Sequence, residues 1–445
     1  MKKILLFLIT VIVASACSKD ENNPQKEAEV IIDKGTSIYA DNNPNNDVMM
    51  QAFWWDSYTD SKINNYPSYY DFVNDKIVEL SNAHIDALWL PPSSEGEGMG
   101  YHPRKLFDFN SEHGTKEQLT SLLTLMKSRK MHGIADLVIN HRIGTETWTD
   151  FTEPSWPCES ICKDDEGYTN PDAFGTKPCG DFDEGEGWGG ARDLNHKNLD
   201  VQNGIKDYLV RLKALGFDSW RYDFVKGFPA KYIGEYNQSG SYYFSVGEYW
   251  DGNITALQTW IDNTKFTSSA TMTKASAAFD FSLKYKLGDA IINKNYSVLD
   301  SNASLASIDG YGDKSITFLD NHDTGCINRT DCDNIFSKNI NELTKGYVYL
   351  LTHPGIPMIW GYHYFFTDST GSLKKAINEL IVIRKELGIN ATSNVQVIET
   401  KNGVSGYYVA QIDSSLIVKI GDGAYTPTGN WKVIKTGTGY SIWSE

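Results

Sequence analysis

Residues 201–224 read VQNGIKDYLVRLKALGFDSWRYDF and join two patterns. Apolar side chains first recur at the spacing of one helix face, at Ile205, Tyr208, Leu209, Leu212 and Leu215. The apolar run 217–224 follows almost at once, and short runs of this kind are typical of strands buried in a parallel sheet. This stretch therefore predicts a helix that leads directly into a buried strand.

Similar units recur along the chain from about residue 47. Eight short apolar runs are present, at 48–55, 85–90, 133–139, 217–224, 242–249, 277–281, 315–319 and 356–360. Helical spacing lies between several of them, around 69–82, 115–130, 198–215 and 336–352. Eight strand-and-helix units predict an α/β fold, the (β/α)8 TIM barrel. A doubly wound open sheet is the alternative, but no Gly-rich phosphate-binding loop follows the first strand.

Two regions depart from this repeat. The connection 141–196, after the third strand, is rich in Gly, Asp, Glu and Trp, and its length predicts a separate loop domain. From 388 to 445, apolar and polar residues alternate between Gly, Asp and Asn turns, which predicts a C-terminal antiparallel β-sheet domain. The catalytic barrel would then comprise 47–140 and 197–387.

The N-terminus has the organisation of an export signal. Residues 1–16 contain two lysines, an apolar stretch too short to span a bilayer, and small residues at a cleavage site. Cys17 follows directly, which resembles the lipobox of bacterial lipoproteins. We therefore expect an exported lipoprotein of the outer membrane or cell surface, anchored to the membrane only through Cys17, with 17–46 as the lipidated Cys and a flexible tether.

If Cys17 carries lipid, five cysteines remain, and an exported protein can oxidise them. Cys326 and Cys332 could close a small loop. Among Cys158, Cys162 and Cys179 one would remain unpaired, and the sequence does not say which.

The composition limits the classes of molecule that this protein could bind. The formal net charge of −16 argues against nucleic acid, because few cations would be free to neutralise phosphates. An aromatic content of 13% suits carbohydrate binding, since aromatic faces stack on sugar rings, but large barrels also bury many aromatic side chains. A neutral polymer is therefore compatible with the composition without being required by it.

Polar side chains stand where the predicted strands end. Active-site residues of TIM barrels come from the carboxyl ends of the strands, which meet at one mouth. Acids, histidines, one arginine and one asparagine occupy four of these ends: Asn140 and His141, Arg221 and Asp223, Glu248, and His322 and Asp323. Their coincidence at four strand ends predicts one shared site.

These segments resemble the four signature regions of the α-amylase family of glycoside hydrolases, the plant and archaeal α-amylases in particular. The similar segments are 100–103 (GYHP), 134–142, 216–227, 317–325 and 352–357 (THPGIP). The resemblance covers most of the mature chain. It implies a TIM-barrel enzyme, a glycoside hydrolase of the α-amylase type.

The resemblance also implies a retaining mechanism, in which two carboxyl groups roughly 5 to 5.5 Å apart flank the scissile bond. Asp223 would be the nucleophile and Glu248 the general acid and later base, which requires a raised pKa for Glu248. Asp323 would be a third acid that grips sugar hydroxyls. Arg221, two residues before the nucleophile on the same strand face, would keep Asp223 ionised.

Further residues are matched to substrate-binding positions. His141 and His322 are similar to the histidines that hydrogen-bond the reacting sugar, and Tyr101 is similar to the aromatic platform beneath it. Lys226 and Trp250 are similar to residues that serve the aglycone side. Each of these roles comes from the resemblance.

Trp54 and Trp55 end the first predicted strand, and either could contact glucan. Alternate residues of a strand face opposite ways. One of the two could therefore equally lie in the core.

A calcium ion between the barrel and the loop 141–196 is implied by the same resemblance. Its ligands would be Asn140, Asp183, the Gly185 carbonyl, Asp193 and the Gly227 carbonyl. Asp181 is a rival for Asp183, because the spacing here is one residue longer than the family's. A cation bound by these oxygens would hold a poorly hydrophobic loop against the barrel.

The resulting hypothesis is endo-acting hydrolysis of α-1,4-glucosidic bonds in starch, glycogen or maltodextrins by a retaining double displacement. We expect Ca²⁺ as cofactor, an α-glucan as substrate, no nucleic-acid partner and a monomer. An α-glucosidase, transglycosylase or debranching enzyme would use the same residues. A non-catalytic glucan-binding protein on this scaffold would be expected to lose one acid, and Asp223, Glu248 and Asp323 are all present.

Overall fold

The computed structural model describes residues 43–169, 175, 177–239, 242–266, 274–300, 302–325, 336 and 339–445. The predicted signal peptide, Cys17 and nearly all of the predicted tether lie outside these residues, as do Cys326 and Cys332. Along the part of the chain that is described, no helix is both long and apolar enough to cross a membrane.

Eight parallel strands close into a barrel, and each coincides with one of the eight predicted apolar runs, although the third begins one residue before its run. They follow one another around the barrel in chain order, and the last pairs with the first. The strands are β1 Met49–Gln51, β2 Ala87–Trp89, β3 His132–Leu137, β4 Ser219–Tyr222, β5 Phe244–Gly247, β6 Ala277–Phe279, β7 Ser315–Phe318 and β8 Ile356–Trp360. The predicted (β/α)8 fold is confirmed.

Most helices lie between consecutive barrel strands, whereas the third lies in the loop region 141–196 and the last two follow β8. The helices are α1 Tyr69–Asn82, α2 Lys116–Ser128, α3 Glu166–Thr169, α4 Leu199–Leu215, α5 Lys231–Tyr236, α6 Ile254–Asn263, α7 Phe281–Ile292, α8 Ile340–Thr352, α9 Gly361–Phe365 and α10 Ser372–Glu386. Helix α4 begins where the Asn198 side chain accepts two backbone N–H groups, and it ends at Gly216, whose φ of 125° suits glycine. Its apolar stripe is buried, as its spacing predicts.

The C-terminal residues form a five-stranded antiparallel sheet, as predicted. Its strands are β9 Val395–Lys401, β10 Tyr407–Ile412, β11 Leu416–Gly421, β12 Lys432–Gly437 and β13 Tyr440–Ser444, in the order β9-β10-β11-β13-β12. The central strand β11 is buried along its whole length, whereas the edge strand β12 is largely exposed. A hydrogen bond of 2.9 Å joins Nε2 of His353, at the end of α8, to the Tyr408 hydroxyl.

The loop region 141–196 is fastened at its base by two short antiparallel strands, His141–Arg142 and Arg192–Asp193. Within it, a disulfide joins Cys158 to Cys179, and Cys162 is the unpaired, buried cysteine of the three. The fully buried Arg192 forms an ion pair with the buried Asp165. The disulfide and the buried ion pair therefore help to stabilise a region whose apolar core is small.

Candidate active site

Four strand ends bring the predicted site residues to one mouth of the barrel. Strand register places Asp136 of β3 directly beside Arg221 of β4. Asp223 and Glu248 directly follow β4 and β5, and the backbone N–H of Glu248 donates to the Tyr222 carbonyl. These side chains are buried at the mouth, where Asp223 is 8% and Glu248 7% exposed.

Arg221 is the centre of this group and is fully buried. Its Nη1 donates to Oδ1 of Asp223 at 2.6 Å and to Oδ1 of Asp136 at 2.8 Å. Its Nη2 lies 2.8 Å from Oε1 of Glu248, close enough for an ion pair, although the two are not aligned as a hydrogen bond. One guanidinium thus brings the two predicted catalytic carboxyls side by side. We call Arg221, Asp136, Asp223 and Glu248 the Arg221 cluster.

Glu248 has the electrostatics expected of a general acid. Burial raises its pKa well above the ordinary value, and the negative charges of Asp223 and Asp323 raise it further, against the lowering effect of Arg221. Its Oε2 accepts only a long bond of 3.3 Å from the Phe224 N–H. A carboxyl that holds its proton and has one weakly held oxygen can donate that proton to a substrate oxygen.

Asp136 received no role from the sequence, yet the structure places it at the base of the cluster. It also accepts hydrogen bonds from Nε1 of Trp89, at 3.0 Å, and from the Tyr101 hydroxyl, at 2.8 Å. Burial raises its pKa to about 6, opposed by Arg221. The available signal was a carboxylate inside an otherwise apolar strand, because such a group requires buried partners.

Asp323 faces the same mouth from the loop after β7. Its Oδ1 accepts from Nε1 of Trp55 at 3.1 Å, and its Oδ2 lies 3.3 Å from Nε2 of His322. The side chain keeps 24% of its surface exposed. Asp323 is thus oriented by the protein while part of it stays available for sugar hydroxyls.

The two predicted sugar-binding histidines are both buried. The ring of Tyr101 stacks on His322, with ring centres 5.1 Å apart and planes 11° apart. His141 has protein partners on both ring nitrogens, the Tyr101 carbonyl and the Asn140 amide. Burial lowers the pKa of His141 to about 4, so it is neutral at pH 7. Contact of these rings with sugar stays a prediction.

Of the two predicted aglycone-side residues, Lys226 contacts the residues on either side of Trp250 in the sequence. Nζ of Lys226 lies 3.3 Å from Oδ2 of Asp251 and over the ring of Tyr249. Trp250 is 36% exposed, and one of its faces is stacked on Phe281. Its other face is therefore the part that could meet a sugar ring.

The two tryptophans that follow the first strand lie in different environments. Trp54 is fully buried among aromatic side chains and donates to Asp60, so it belongs to the core. Trp55 contacts Asp323, Tyr101 and His322 at the mouth. Of the two alternatives, Trp55 is the residue at the site.

The five predicted metal ligands are brought together by close contacts. A Cβ added at Gly227 would lie 1.9 Å from the Asn140 amide oxygen, and one at Gly185 would lie 2.3 Å from the Gly227 carbonyl oxygen. The Gly185 N–H donates to Oδ1 of Asp183, and the Asn140 amide lies 3.4 Å from Oδ1 of Asp193. All the donors are oxygens, so this set fits a hard cation such as Ca²⁺.

Of the two rival aspartates, Asp183 is the one inside this set. It is half-buried, and burial together with the carboxylates of Asp164 and Glu184 raises its pKa. Asp181 is exposed. The placement favours Asp183, since a bound cation would relieve the crowding of negative charge there.

Comparison with known families agrees with this geometry. The sequence profile of the α-amylase catalytic domain matches residues 54–379, and that of the α-amylase C-terminal β-sheet domain matches 386–444. The chain belongs to the α-amylase family. It is therefore a glycoside hydrolase.

Individual relatives of this α-amylase family chain are known from plants and bacteria. It is 30% identical to the probable α-amylase 2 of Arabidopsis thaliana, over 90% of this chain and 94% of that one. It is 24% identical to the glucan 1,4-α-maltotetraohydrolase of Stutzerimonas stutzeri, over 83% and 66%. A solved Anoxybacillus α-amylase shares its fold, with a TM-score of 0.65 at 18% identity over 90% of this chain and 98% of that one.

Trp188 is a further residue of this α-amylase that sequence reasoning missed. It lies in the region 141–196, and its ring is 4.2 Å from that of His141 and 5.4 Å from that of His102. A Cβ on Gly190 would meet the Trp188 ring at 2.4 Å, so the glycine permits this packing. No spacing rule links position 188 to the barrel strands, because the contact depends on how the loop folds back.

Proposed function

We propose that this α-amylase hydrolyses internal α-1,4-glucosidic bonds of starch, glycogen or maltodextrins with retention of configuration at the anomeric carbon. The observation that carries this proposal is the sharing of Arg221 by Asp223 and Glu248, together with the raised pKa of Glu248. Glu248 can then hold a proton while it lies beside the second carboxyl. That is the requirement of a retaining mechanism.

The double displacement assigns a separate step to each carboxyl. Asp223 attacks the anomeric carbon while Glu248 gives its proton to the departing glycosidic oxygen, which leaves a covalent glycosyl ester and the shortened glucan. Glu248, now ionised, takes a proton from water as that water attacks the same carbon and releases Asp223. Asp323 binds sugar hydroxyls and favours the distorted, oxocarbenium-like sugar.

The test is product analysis with the purified protein on soluble starch. We expect iodine staining to fall while few reducing ends have appeared, because internal bonds are cut first. Immediate release of glucose from maltotriose would instead indicate an α-glucosidase, growth of longer chains a transglycosylase, and cleavage of pullulan a debranching enzyme. Retention of starch without any reducing sugar would refute hydrolysis.

We also propose that Ca²⁺ binds the oxygen donors of Asn140, Asp183, Gly185, Asp193 and Gly227. The ion would supply positive charge that fastens the region 141–196 to the barrel beside His141, and no chemical step passes through it. Chelation should lower the Tm and the activity together, and added Ca²⁺ should restore both. Asp193→Asn should lower the Ca²⁺ affinity, whereas Asp181→Asn should leave it unchanged. A Tm indifferent to chelator would contradict the proposal.

We propose, finally, that the enzyme is exported and held to a membrane through lipid on Cys17. The support is the sequence pattern of residues 1–17. Cys17→Ser should move the protein from the membrane fraction to the soluble fraction while its specific activity is unchanged. A variant that stays with the membrane would show that another segment anchors it.

A further inference from the structure

We propose that Gln51 fixes the tautomer of His322, so that His322 is a neutral ring whose Nε2–H points at Asp323. Gln51 is then a positioning residue for the third acid of the site. The catalytic consequence rests on the proposed function, whereas the tautomer itself can be measured without turnover.

The side chain of Gln51 contacts both the ring and the backbone of His322. It is the last residue of β1, and it is fully buried. Its Nε2 lies 2.8 Å from Nδ1 of the His322 ring, and its Oε1 lies 3.2 Å from the backbone N of His322. The two residues are 271 positions apart in sequence, so only closure of the barrel brings them together.

The backbone contact decides which way the amide is turned. A backbone N–H can only donate, so the amide atom that faces it must be the oxygen Oε1. The other arm is then the NH₂ group, which can also only donate. Nδ1 of His322 must therefore present its lone pair, and the proton of the neutral ring must be on Nε2.

The opposite side of the ring requires the same arrangement. Nε2 faces Oδ2 of Asp323 at 3.3 Å, and a carboxylate accepts a hydrogen bond but repels a lone pair. Oδ1 of Asp323 already accepts from Trp55. With Nε2–H in place, each oxygen of Asp323 faces a donor, and the carboxylate is held in one orientation.

The surroundings prevent the ring from escaping this arrangement. Tyr101 stacks on one face at 11°, and Phe53, Trp55 and Trp89 surround the ring with centres 5.1 to 5.5 Å away. The titratable groups against the ring are the phenol of Tyr101 on its face and the carboxylate of Asp323 at Nε2. A proton on Nδ1 would point at the hydrogens of the Gln51 amide, so protonation requires that contact to break.

Gln51→Glu should reverse which ring nitrogen of His322 carries the proton. A carboxylate at this position accepts from Nδ1–H, so the neutral ring would carry its proton there and present a bare Nε2 to Asp323. While the ring is an imidazolium, Nε2–H survives. We therefore expect kcat to fall by about tenfold or more as pH rises through the His322 ionisation, a step added to the alkaline limb that loss of the Glu248 proton gives the wild-type profile.

Two further variants separate this effect from simple disruption. Gln51→Met keeps the volume but cannot hydrogen-bond, so it should lower kcat by severalfold without a new ionisation. Asn237→Asp is the matched control, because Asn237 is another buried amide, bonded to the hydroxyls of Tyr222 and Ser245. It should add no ionisation to the wild-type profile. The same added ionisation in both carboxylate variants would refute a specific role for Gln51.

The deciding experiment is ¹⁵N NMR of histidine-labelled full-length protein, with the His322 signals assigned by their loss in His322→Gln. We expect Nδ1 unprotonated and Nε2 protonated once the ring is neutral, above about pH 8, and the proton of the neutral ring moved to Nδ1 in Gln51→Glu. A wild-type ring with its proton on Nδ1, or exchanging between both nitrogens, would overturn the inference. If the tautomer is as predicted but the protein does not hydrolyse starch, only the proposed function is refuted.

Discussion

The two ends of the barrel each bury a cluster of carboxyl groups, but they use them differently. At the floor, opposite the mouth, Asp47 and Asp86 precede β1 and β2. Asp47 accepts from the Tyr243 hydroxyl at 2.9 Å, and Asp86 accepts from the Val48 N–H at 2.8 Å and from Nζ of Lys385 at 2.7 Å. We call Asp47, Asp86, Lys385 and Tyr243 the floor cluster.

Raised pKa values occur at both ends, so they do not by themselves mark the catalytic end. Burial raises the pKa of Asp47 to about 7, helped by the charge of Asp86, much as burial acts on Glu248. The cavity beside Asp47 has a volume of about 10 Å³, room for about one water. At the mouth, Oε1 of Glu248 has no directed hydrogen bond, and Asp323 is a quarter exposed. The partly exposed carboxylate of Asp323, which a ligand can reach, distinguishes the catalytic end.

The largest expected difference between the ends is in turnover. Glu248→Gln removes the proton donor, and we expect kcat on soluble starch to fall by about 10³-fold or more while starch binding persists. Asp47→Asn at the floor should change kcat by less than about threefold, since no substrate atom reaches it. The measurement is reducing-sugar release by both variants, with Tm as the check on folding. Near-normal turnover of Glu248→Gln would remove it from the role of acid.

The next difference is in stability. Arg221→Met strips the shared cation from the Arg221 cluster, and loss of one partner from a buried ion pair costs about 3–5 kcal/mol. Lys385→Met removes a cation that contacts one carboxylate, Asp86, and should cost about 1–3 kcal/mol. Denaturant unfolding at pH 7 measures both. Equal losses would mean that sharing three carboxyls adds nothing to the contribution of Arg221.

The smallest effect is a dependence of stability on pH at the floor. Between the ordinary pKa of Asp and about 7, the folded protein holds a proton on Asp47 that the unfolded chain has released, so folding stability falls as pH rises through this window. Asp47→Asn cannot titrate. The free energy of unfolding of the variant, relative to that of the wild type, should therefore rise by about 1–3 kcal/mol between pH 5 and pH 8.

One neighbouring group titrates together with Asp47. The pKa of His132 is raised, against burial, by its bond to Asp218 and by the charges of Asp218, Asp47 and Asp86, so the comparison reports Asp47 together with this coupling. Thermal unfolding of wild type and Asp47→Asn across this pH range provides the check. A constant difference in Tm between them would show that Asp47 does not titrate there.

The sequence predicted the mouth better than the floor for a physical reason. Catalytic side chains follow strands, so their positions can be read from where apolar runs end, as at Asp223 and Glu248. Asp47 and Asp86 lie just before strands, where an aspartate usually marks a turn. Their clustering depends on barrel closure, which brings Lys385 from the far end of the chain.

At the mouth, the sequence did not reveal the residues inside strands that contact the catalytic side chains. Asp136 and Gln51 sit in apolar runs, and register alone pairs Asp136 with Arg221. Cysteine pairing was equally out of reach, because three cysteines within 22 positions offer alternatives that only the path of the loop decides. Local pattern thus predicted strands and their ends, whereas contacts between distant segments required the fold.

The most direct test of the central claim is the anomeric form of the first product. Wild-type enzyme acting on a maltooligosaccharide should release a new reducing end that is initially the α-anomer, observed by ¹H NMR before mutarotation, because two displacements at one carbon restore its configuration. The β-anomer as first product would mean that water attacks directly, and Asp223 would then not be the nucleophile.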